Sequence, residues 1–443
     1  MFRVAISIYS AITFILRPFL KVAGLFNSKL AARAESRGQI RKRWAAKSEE
    51  LNGSVKRVWF HVASLGEFLQ AEPVISLLTG NGSESPEIAL TFSSPSGIDN
   101  LSKFTRGGDC GRISFVDYLP PDTPSNVRFC LKTLKPDVVV YVKYDLWPNL
   151  ILETARQEIP QILISGGLSS SSGRYSSPLA RWFYGNLYSA MNCISASTEQ
   201  DARRFRESSP DARVVTLGDT KYDQVYRRIS SGEGRSAFPG LPDTRSYIIA
   251  GSTWPGDEEL LLRGFAGLAG RISDLSLVIA PHEPTEDRVA EIIRSSERLS
   301  LDCVRISDMN KTSSIPLIIA DGIGYLAELY RAGTLAYVGG GFSSGVHNVL
   351  EPAVLGIPVM FGPRIDNSHE AKEITELGAG MIVENPEDFE EIVSRLLSDR
   401  QELRQRGEKG KEYIDSNLGA SERYRDMIID LISQSGPGPG LYR

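Results

Sequence analysis

Cysteine is scarce in this chain, and its spacing removes two kinds of structure from consideration. The four cysteines, Cys110, Cys130, Cys193 and Cys303, stand far apart and form no CxxC pair. That spacing supports neither a disulfide framework nor a cysteine zinc site. A reducing cytosolic compartment fits the composition best.

Histidine is equally scarce, and no motif for a metal or a dinucleotide is complete. The chain has four histidines and no HExxH. His347 and Glu351 have the spacing of a shared helix face, with His369 as a third candidate metal ligand. The glycines at 339–341 do not complete GxGxxG, and no acidic residue lies about 20 positions further on at a strand end. We therefore expect neither a metal nor a cofactor.

The sequence also lacks an uninterrupted apolar run long enough for a clean membrane span. Apolar residues cover 4–16 and continue to 26, but Arg17, Pro18 and Lys21 interrupt them, and a spanning helix needs about 20 consecutive apolar residues. Residues 1–50 carry ten Lys and Arg against three Glu, while the remainder carries 40 basic against 51 acidic residues. Positive charge beside an apolar segment is typical of a membrane surface contact rather than of a nucleic-acid-binding face. The alternative is a helix that packs on the folded body.

Apolar, β-branched runs alternate with helix-like stretches from residue 55 onward, which indicates parallel sheets with crossover helices. The first series of predicted strands covers 58–62, 88–92, 138–142, 162–164 and 214–217. The second covers 247–250, 277–280, 317–320, 335–338 and 358–361. The fold class is therefore α/β, with two Rossmann-like domains.

Residues 229–246 lie between the two series and are rich in Gly, Pro and Ser, as expected of a linker. The predicted organisation is a membrane anchor at 1–50, one Rossmann-like domain at 51–235, a second at 236–415, and a C-terminal helix with a disordered tail at 416–443. Ligands of open parallel sheets bind beyond the carboxyl ends of the strands. Two such domains facing one another would form a cleft.

Glu67 is the candidate catalytic residue. It ends the segment HVASLGE at 61–67, where a predicted strand passes through a turn containing Ser64 and Gly66 into a helix. A Glu shielded from water can have its pKa raised toward the working range and then accept a proton from an attacking hydroxyl. The same spacing is that of a capping box, in which Ser64 and Glu67 satisfy backbone N–H groups. The residues alone leave both roles open.

The second domain offers a candidate phosphate site at AGST, residues 250–253, which follows a predicted strand and precedes Pro255. Proline suits the first turn of a helix, so the backbone and the hydroxyls of Ser252 and Thr253 could hold a phosphate. The alternative is an ordinary helix cap.

A glycine-rich stretch at 337–352 runs from a buried strand into a helix that is predicted to bear His347, Asn348 and Glu351. Gly340 and Gly341 allow the backbone to approach a ligand closely. Glu351 could accept hydrogen bonds from ribose hydroxyls, or it could be a surface residue.

Several separated segments together resemble the Kdo transferases, which transfer 3-deoxy-D-manno-octulosonic acid from its CMP derivative to a lipid A precursor. The resemblance extends from about residue 44 to the final predicted helix. The matching segments are HVASLGE at 61–67, TFSSPSG at 91–97, DLWPN at 145–149, ASTEQD at 196–201, GDTKYD at 218–223, AGST at 250–253 and GVHNVLEP at 345–352.

The resemblance implies a GT-B fold and an inverting, metal-independent transfer from CMP-Kdo to a lipid IVA-like acceptor at the cytoplasmic face of the bacterial inner membrane. It implies that Glu67 is the base. The residues expected around the donor nucleotide are Ser252, Thr253, His282, Gly340, Gly341, His347, Asn348 and Glu351. The alternatives are another GT-B enzyme that uses a UDP- or GDP-sugar, a nucleotide-sugar epimerase, and a noncatalytic membrane-bound nucleotide-binding module.

Two segments depart from the pattern of this family. Many members have Glu-Thr-Glu before Leu-Trp-Pro and a later Asn-Ala-Arg-Leu-Ser, whereas this chain has KYD at 143–145 and SGGLS at 165–169. Lys143 and Arg174 are candidates to hold the Kdo carboxylate or an acceptor phosphate instead. With Ser64, Gly66 and Asp145, they form the predicted acceptor side of the cleft.

Overall fold

A computed structural model describes residues 1–23, 39–80, 85–94, 97–98, 113–231, 241, 245–309, 316–324 and 326–433 of the chain. The chain divides into two compact units. The N-terminal unit contains residues 1–224 and 418–443, and the C-terminal unit contains residues 225–417.

The N-terminal unit is built on a parallel sheet of seven strands in the order β3-β2-β1-β4-β5-β6-β7. The predicted strands are present, and the structure adds β3 and β6. The seven strands are β1 (Arg57–Val62), β2 (Glu87–Phe92), β3 (Ile113–Tyr118), β4 (Val138–Val142), β5 (Gln161–Gly166), β6 (Cys193–Ala196) and β7 (Val214–Thr216).

Helices connect these strands and cover the sheet. They are α1 (Phe2–Ala23), α2 (Ile40–Ser48), α3 (Leu65–Leu78), α4 (Pro124–Leu134), α5 (Pro148–Arg156), α6 (Pro178–Tyr188), α7 (Glu199–Ser208) and α8 (Thr220–Ser231). Every residue of β4 is buried, as expected of a central strand in a sheet covered on both faces.

The C-terminal unit repeats this architecture with seven parallel strands in the order β10-β11-β9-β8-β12-β13-β14. Here β10 and β14 are the strands that the sequence pattern did not predict. The strands are β8 (Ser246–Thr253), β9 (Leu275–Pro281), β10 (Cys303–Arg305), β11 (Leu317–Ile319), β12 (Leu335–Val338), β13 (Val359–Phe361) and β14 (Gly380–Ile382). Its helices are α9 (Pro255–Ala269), α10 (Glu286–Arg298), α11 (Leu326–Ala332), α12 (Leu350–Val354), α13 (His369–Glu376), α14 (Pro386–Ser398) and α15 (Arg400–Asn417).

The last helix, α16 (Ala420–Ser433), packs in the N-terminal unit rather than standing as a separate segment. The hydroxyl of the buried Tyr424 accepts a hydrogen bond from the Ser165 N–H at 2.9 Å and donates to the Gly218 carbonyl at 2.7 Å. The Asp223 carboxylate accepts the N–H groups of Gly419 and Ser421, each at 2.7 Å. The end of the chain therefore packs with the N-terminal unit. The predicted division treated residues 416–443 as a segment of their own. Of the predicted linker at 229–246, residues 229–231 belong to α8, and 232–240 and 242–244 lie outside the described residues, as does the predicted tail from 434 onward.

The beginning of α1 packs on the N-terminal unit. The Phe2 ring meets the Trp182 and Phe183 rings of α6 at centroid distances of 6.0 and 5.8 Å. The Ser10 hydroxyl donates to Asn149 at 2.9 Å. Within the described part of the chain, no helix is both long enough and apolar enough to cross a bilayer.

Candidate active site

The carboxyl ends of β1 and β4 bring the predicted acceptor residues of the N-terminal unit together. Strand order reverses between these two strands, and such a reversal is where open parallel sheets bind their ligands. Glu67 follows β1 in the first turn of α3, while Lys143 and Asp145 lie in the turn after β4. Their meeting therefore follows from the topology of the sheet.

Glu67 is buried, and its carboxylate holds the backbone of the turn before α3. Only 9% of the residue is exposed, and one carboxylate oxygen accepts the Ala63 N–H at 2.6 Å. Ser64 is the N-cap residue, but its hydroxyl makes no capping hydrogen bond. The reciprocal capping box is thus not formed, although Glu67 does stabilise one backbone N–H. Adding a Cβ at Gly66 would place it 3.8 Å from the Ser64 hydroxyl, so glycine is not sterically required there.

Burial raises the pKa of Glu67 from its ordinary 4.5 to about 7. The hydrogen bond from Ala63 opposes this shift, and the neighbouring charge of Asp145 adds to it. His61 and Lys143 act in the lowering direction. A carboxylate that titrates near neutrality can accept a proton at working pH and still ionise there, which is the property required of a general base.

Asp145 has the opposite electrostatic environment. Its Oδ2 lies 2.9 Å from His61 Nε2 and accepts the Ser93 hydroxyl at 2.5 Å. Although burial acts to raise it, the pKa of Asp145 is lowered to about 2, chiefly by the hydrogen bond and charge of His61. His61 is completely buried, and its Nδ1 lies 2.9 Å from the Thr91 hydroxyl. Asp145 is therefore a permanent anion held beside the titrating Glu67.

Lys143 and Lys221 share one buried carboxylate. The Asp219 Oδ2 lies 3.4 Å from the Lys143 Nζ and 3.6 Å from the Lys221 Nζ. Lys143 has a φ of 54°, in the left-handed region that a residue with a side chain rarely adopts. Burial, followed by the charge of Lys143, lowers the pKa of Lys221 despite the adjacent Asp219. Two ammonium groups therefore meet at Asp219, and the charge of Asp201 also acts on Lys221.

Arg174 lies over the same aromatic ring as Lys143. Its guanidinium is 5.2 Å from the centre of the Tyr144 ring, over which Lys143 also lies at 5.8 Å. One Nη donates to the Gly167 carbonyl at 2.8 Å. Tyr144 itself is 53% exposed. The structure therefore groups Lys143 and Arg174 around an accessible aromatic ring.

In the C-terminal unit, strand order reverses between β8 and β12, and the predicted donor residues follow these strands and β9. The fully buried Asp257 of α9 organises the site. It accepts the Trp254 N–H and the Gly340 N–H, each at 2.9 Å, and the Tyr337 hydroxyl at 2.9 Å. One carboxylate thus joins the first turn of α9 to the glycine-rich loop after β12.

Three aromatic rings meet at this edge of the second sheet. The His282 ring stacks on the Trp254 and His347 rings at centroid distances of 5.1 and 4.6 Å. The Trp254 indole N–H donates to His347 Nε2 at 2.8 Å. The structure therefore brings His282 and His347 together, as the resemblance implied for the donor site, and it adds Trp254 to them.

Close approach explains the glycines of this loop. Gly340 has a φ of 98°, and a Cβ there would meet the Gly345 carbonyl oxygen at 2.3 Å. A Cβ at Gly341 would lie 2.5 Å from the Gly362 Cα. Side chains at either position would displace the loop that carries His347.

The remaining predicted donor residues have mixed positions. Ser252 lines a cavity of about 140 Å³ together with His282. The Thr253 hydroxyl is buried and donates to Glu258 at 3.0 Å, so it is already used as a local structural contact. A phosphate role for Thr253 thus has to come from its backbone.

The prediction that the helix bears His347 and Asn348 is wrong. The helix α12 begins only at Leu350, so both residues lie in the loop before it. The Asn348 side chain accepts the Leu350 N–H at 3.1 Å and donates to Glu351 at 3.2 Å. Glu351 also forms an ion pair with Arg228. Among the described residues, no group of three or more His, Cys, Asp or Glu side chains is placed to hold a metal ion.

Sequence reasoning left out several residues that the structure places in these clusters, among them His61, Lys221 and Trp254. Two of them stand in segments already quoted, HVASLGE and GDTKYD, and Trp254 directly follows AGST. The available signal was their position within or a few residues after predicted strands. Their partners come from distant parts of the chain, which spacing does not reveal.

Comparison with known proteins identifies the class of this chain. The UDP-GlcNAc 2-epimerase from Neisseria meningitidis bound to UDP-GlcNAc shares the fold with a TM-score of 0.61 at 18% identity, covering 84% of this chain and all of that one. This likeness shows the fold alone. Residues 33–224 match the family model described as 3-deoxy-D-manno-octulosonic-acid transferase (kdotransferase).

Two curated relatives extend the match over most of the chain. The 3-deoxy-D-manno-octulosonic acid transferase of Aquifex aeolicus is 28% identical over 395 residues, covering 89% of this chain and 99% of the relative. The enzyme of the same name from Haemophilus influenzae is 26% identical over 390 residues, covering 85% and 88%. The chain is a glycosyltransferase with the GT-B fold. Within that class it is similar to the Kdo transferases over most of its length, so the resemblance noted in the sequence is confirmed.

Proposed function

We propose that this enzyme transfers Kdo from CMP-Kdo to a lipid A precursor of the lipid IVA type, with Glu67 as the general base. The observation that carries the proposal is the buried Glu67 carboxylate, whose pKa is raised to about 7 at the β1 and β4 strand ends. The names of the curated relatives supply the sugar. The donor and the acceptor are the substrates that the resemblance to Kdo transferases implies.

The proposed step is a direct displacement that inverts the anomeric carbon. An acceptor hydroxyl transfers its proton to a Glu67 oxygen as its own oxygen forms a bond to the anomeric carbon of Kdo. The bond from that carbon to the CMP phosphate oxygen breaks, and the phosphate leaves with the electron pair. Charge that develops on this phosphate is stabilised by preorganised hydrogen-bond donors.

The ammonium group of Lys143, whose charge acts on Glu67, supports an anionic substrate group near this carboxylate. The sugar brings a carboxylate and the acceptor brings phosphates, and either could pair with the Lys143 ammonium group. Lys143 lies in one of the two segments where the chain departs from the pattern that the resemblance implies, so we assign it a role in substrate selection. In the C-terminal unit, His282 and His347 are the side chains assigned to the nucleotide.

We also propose that the enzyme works at the cytoplasmic face of the inner membrane. The outward side of α1 supports this location, because Val4, Ile8 and Ile12 are 61%, 56% and 49% exposed and recur every fourth residue. Residues at that spacing share one face of a helix. Leu179 of α6, the helix on which Phe2 packs, adds an apolar side chain that is 72% exposed. A water-facing stripe of this kind is accounted for if α1 lies in a bilayer interface.

Incubation of the protein with CMP-Kdo and lipid IVA, followed by mass analysis of the lipid and measurement of released CMP, tests the proposal. The expected result is one CMP released for each Kdo added to the lipid. Parallel incubations with UDP- and GDP-sugars separate this activity from that of other GT-B enzymes. Transfer from one of those donors, with none from CMP-Kdo, would overturn the proposed substrate.

A further inference from the structure

The hydrogen bond between Trp254 and His347 determines which ring nitrogen of His347 carries a proton. An indole N–H can only donate, so His347 Nε2 must accept at the 2.8 Å separation. A neutral imidazole has one N–H. His347 therefore carries its proton on Nδ1 whenever this hydrogen bond is formed.

The surroundings of His347 favour the neutral ring. Burial, followed by the neighbouring His282, lowers the pKa of His347, and Asp257 acts in the opposite direction. Protonation would turn Nε2 into a donor and break the bond to Trp254. The geometry and the charge environment thus both favour a neutral ring with Nδ1–H.

The Nδ1 atom lies on the free side of the ring. A Cβ added at Gly340 would stand 2.9 Å from His347 Cδ2, so the Cδ2 side faces the glycine backbone, and Nε2 faces Trp254. Nδ1 lies across the ring from Cδ2, and among the described residues it has no hydrogen-bond partner. The His347 residue is half-buried, and Nδ1 is the ring nitrogen that remains for a ligand.

The position of Trp254 is itself fixed by several contacts. Its backbone N–H donates to the buried Asp257 carboxylate at 2.9 Å, and the same carboxylate accepts the Gly340 N–H. Pro255 follows it as the first residue of α9. The backbone N–H of His347 in turn donates to the Gly339 carbonyl at 3.0 Å. The backbones on both sides of the indole–imidazole bond are therefore held in place.

We propose that Trp254 is a positioning residue of the donor site, which holds His347 as the Nδ1–H tautomer so that this N–H donates to the phosphate of the sugar nucleotide. This inference rests on the proposed function for the identity of the nucleotide. It assigns a role to a residue that contacts the donor only through His347. A phosphate oxygen is an acceptor without a proton to give, so the opposite tautomer would lose this contact.

The first part of the test is spectroscopic and does not depend on activity. Long-range ¹H–¹⁵N correlation of the full chain labelled with ¹⁵N-histidine distinguishes the tautomers, and only four histidines need assignment. His347→Gln identifies the signal. The wild-type His347 ring is expected as the Nδ1–H tautomer at pH 8. Trp254→Phe retains an aromatic ring without the N–H donor, and in this variant we expect a mixture of the Nδ1–H and Nε2–H tautomers. Trp182→Phe, at a half-buried tryptophan of the N-terminal unit, is the matched control and should leave His347 unchanged.

The second part measures the ligand. Trp254→Phe is expected to raise the Kd for CMP by about tenfold, the effect of losing one hydrogen bond to a charged group. The kcat/KM for CMP-Kdo should fall by at least the same factor, because charge grows on the phosphate during the reaction. Trp182→Phe should change neither quantity.

The outcomes separate this inference from the proposed function. An Nε2–H tautomer in a wild-type chain that binds CMP would overturn the role of Trp254 alone. A mixture of His347 tautomers in Trp254→Phe, with unchanged CMP affinity, would overturn the phosphate contact. A wild-type chain with the Nδ1–H tautomer and no affinity for CMP would overturn the phosphate contact and the proposed donor together.

Discussion

Replacing Glu67 with Gln should make the protein more stable at alkaline pH and should strongly reduce the proposed sugar-transfer activity. The pKa of Glu67 is raised from 4.5 to about 7 in the folded chain. A protonated Glu67 therefore favours folding, and this contribution is complete below about pH 4.5 and is lost as the pH rises to about 7. At 1.36 kcal/mol for each pKa unit, the ionised carboxylate costs about 3 kcal/mol above pH 7.

Gln retains an oxygen that can accept the Ala63 N–H, but it has no charge at any pH. Glu67→Gln should therefore match wild type near pH 4 and exceed it by about 3 kcal/mol near pH 8 in the free energy of unfolding. Thermal or urea unfolding at a series of pH values measures this difference. Glu50→Gln, at an exposed carboxylate of the same unit, is the control and should show no such pH dependence.

The same variant tests catalysis. Turnover should fall by roughly 100- to 10,000-fold, as is typical when a general base is lost, while CMP-Kdo still binds. In the wild-type enzyme, kcat/KM should rise with pH through about 7, because only the ionised carboxylate accepts a proton. Equal stability of the two proteins at pH 8 would refute the desolvation argument. Turnover near that of wild type in Glu67→Gln would remove Glu67 from the role of base.

Three further predictions concern the cation pair, the N-terminal helix and Asp145. Lys221→Met should raise KM for an anionic substrate about tenfold, because Asp219 then pairs with Lys143 alone and neutralises its charge. Comparing acceptors with and without phosphates identifies the substrate group that is bound. An unchanged KM for all of these acceptors would refute the assignment. Ile8→Asp should reduce sedimentation with anionic vesicles, and full retention would count against an interfacial helix. Asp145→Asn should lower the pKa of Glu67 and shift the pH-rate profile to lower pH, since the charge of Asp145 raises it. In all these assays EDTA should leave wild-type turnover unchanged, and magnesium-dependent recovery would contradict metal-independent transfer.

The strands that the sequence predicted have apolar runs that are largely buried or β-branched, and those that it missed mix polar or small residues with apolar ones. The buried run of β4 fixes both its location and its central position, because a strand covered on both faces has no polar alternation. In contrast, β10 has three partly exposed residues at the edge of its sheet, and β14 has only three residues. Neither contains enough apolar surface to differ from a loop in a sequence.

The position of Glu67 after a strand was predictable, but its environment was not. Its pKa depends on burial and on Asp145, which is 78 residues away in the chain and comes close only because β1 and β4 are neighbours. The Lys143 and Lys221 pair is also beyond local spacing, since Asp219 follows β7, which β5 and β6 separate from β4 in the sheet. Local spacing predicts which residues end strands, whereas the order of strands determines which of them meet.

The two carboxylates at the ends of β1 and β4 have different pKa values because their surroundings differ, although both are carboxyl groups. Asp145 receives a hydroxyl and an imidazole, and its pKa is lowered to about 2. Glu67 receives only one backbone N–H, and its pKa is raised to about 7. Opposite shifts of neighbouring titratable groups assign them different tasks. Burial is the main cause of the raised pKa of Glu67, and the charge of Asp145, which stays ionised, raises it further. The residue that helps to hold His61 in place therefore also strengthens the proposed base.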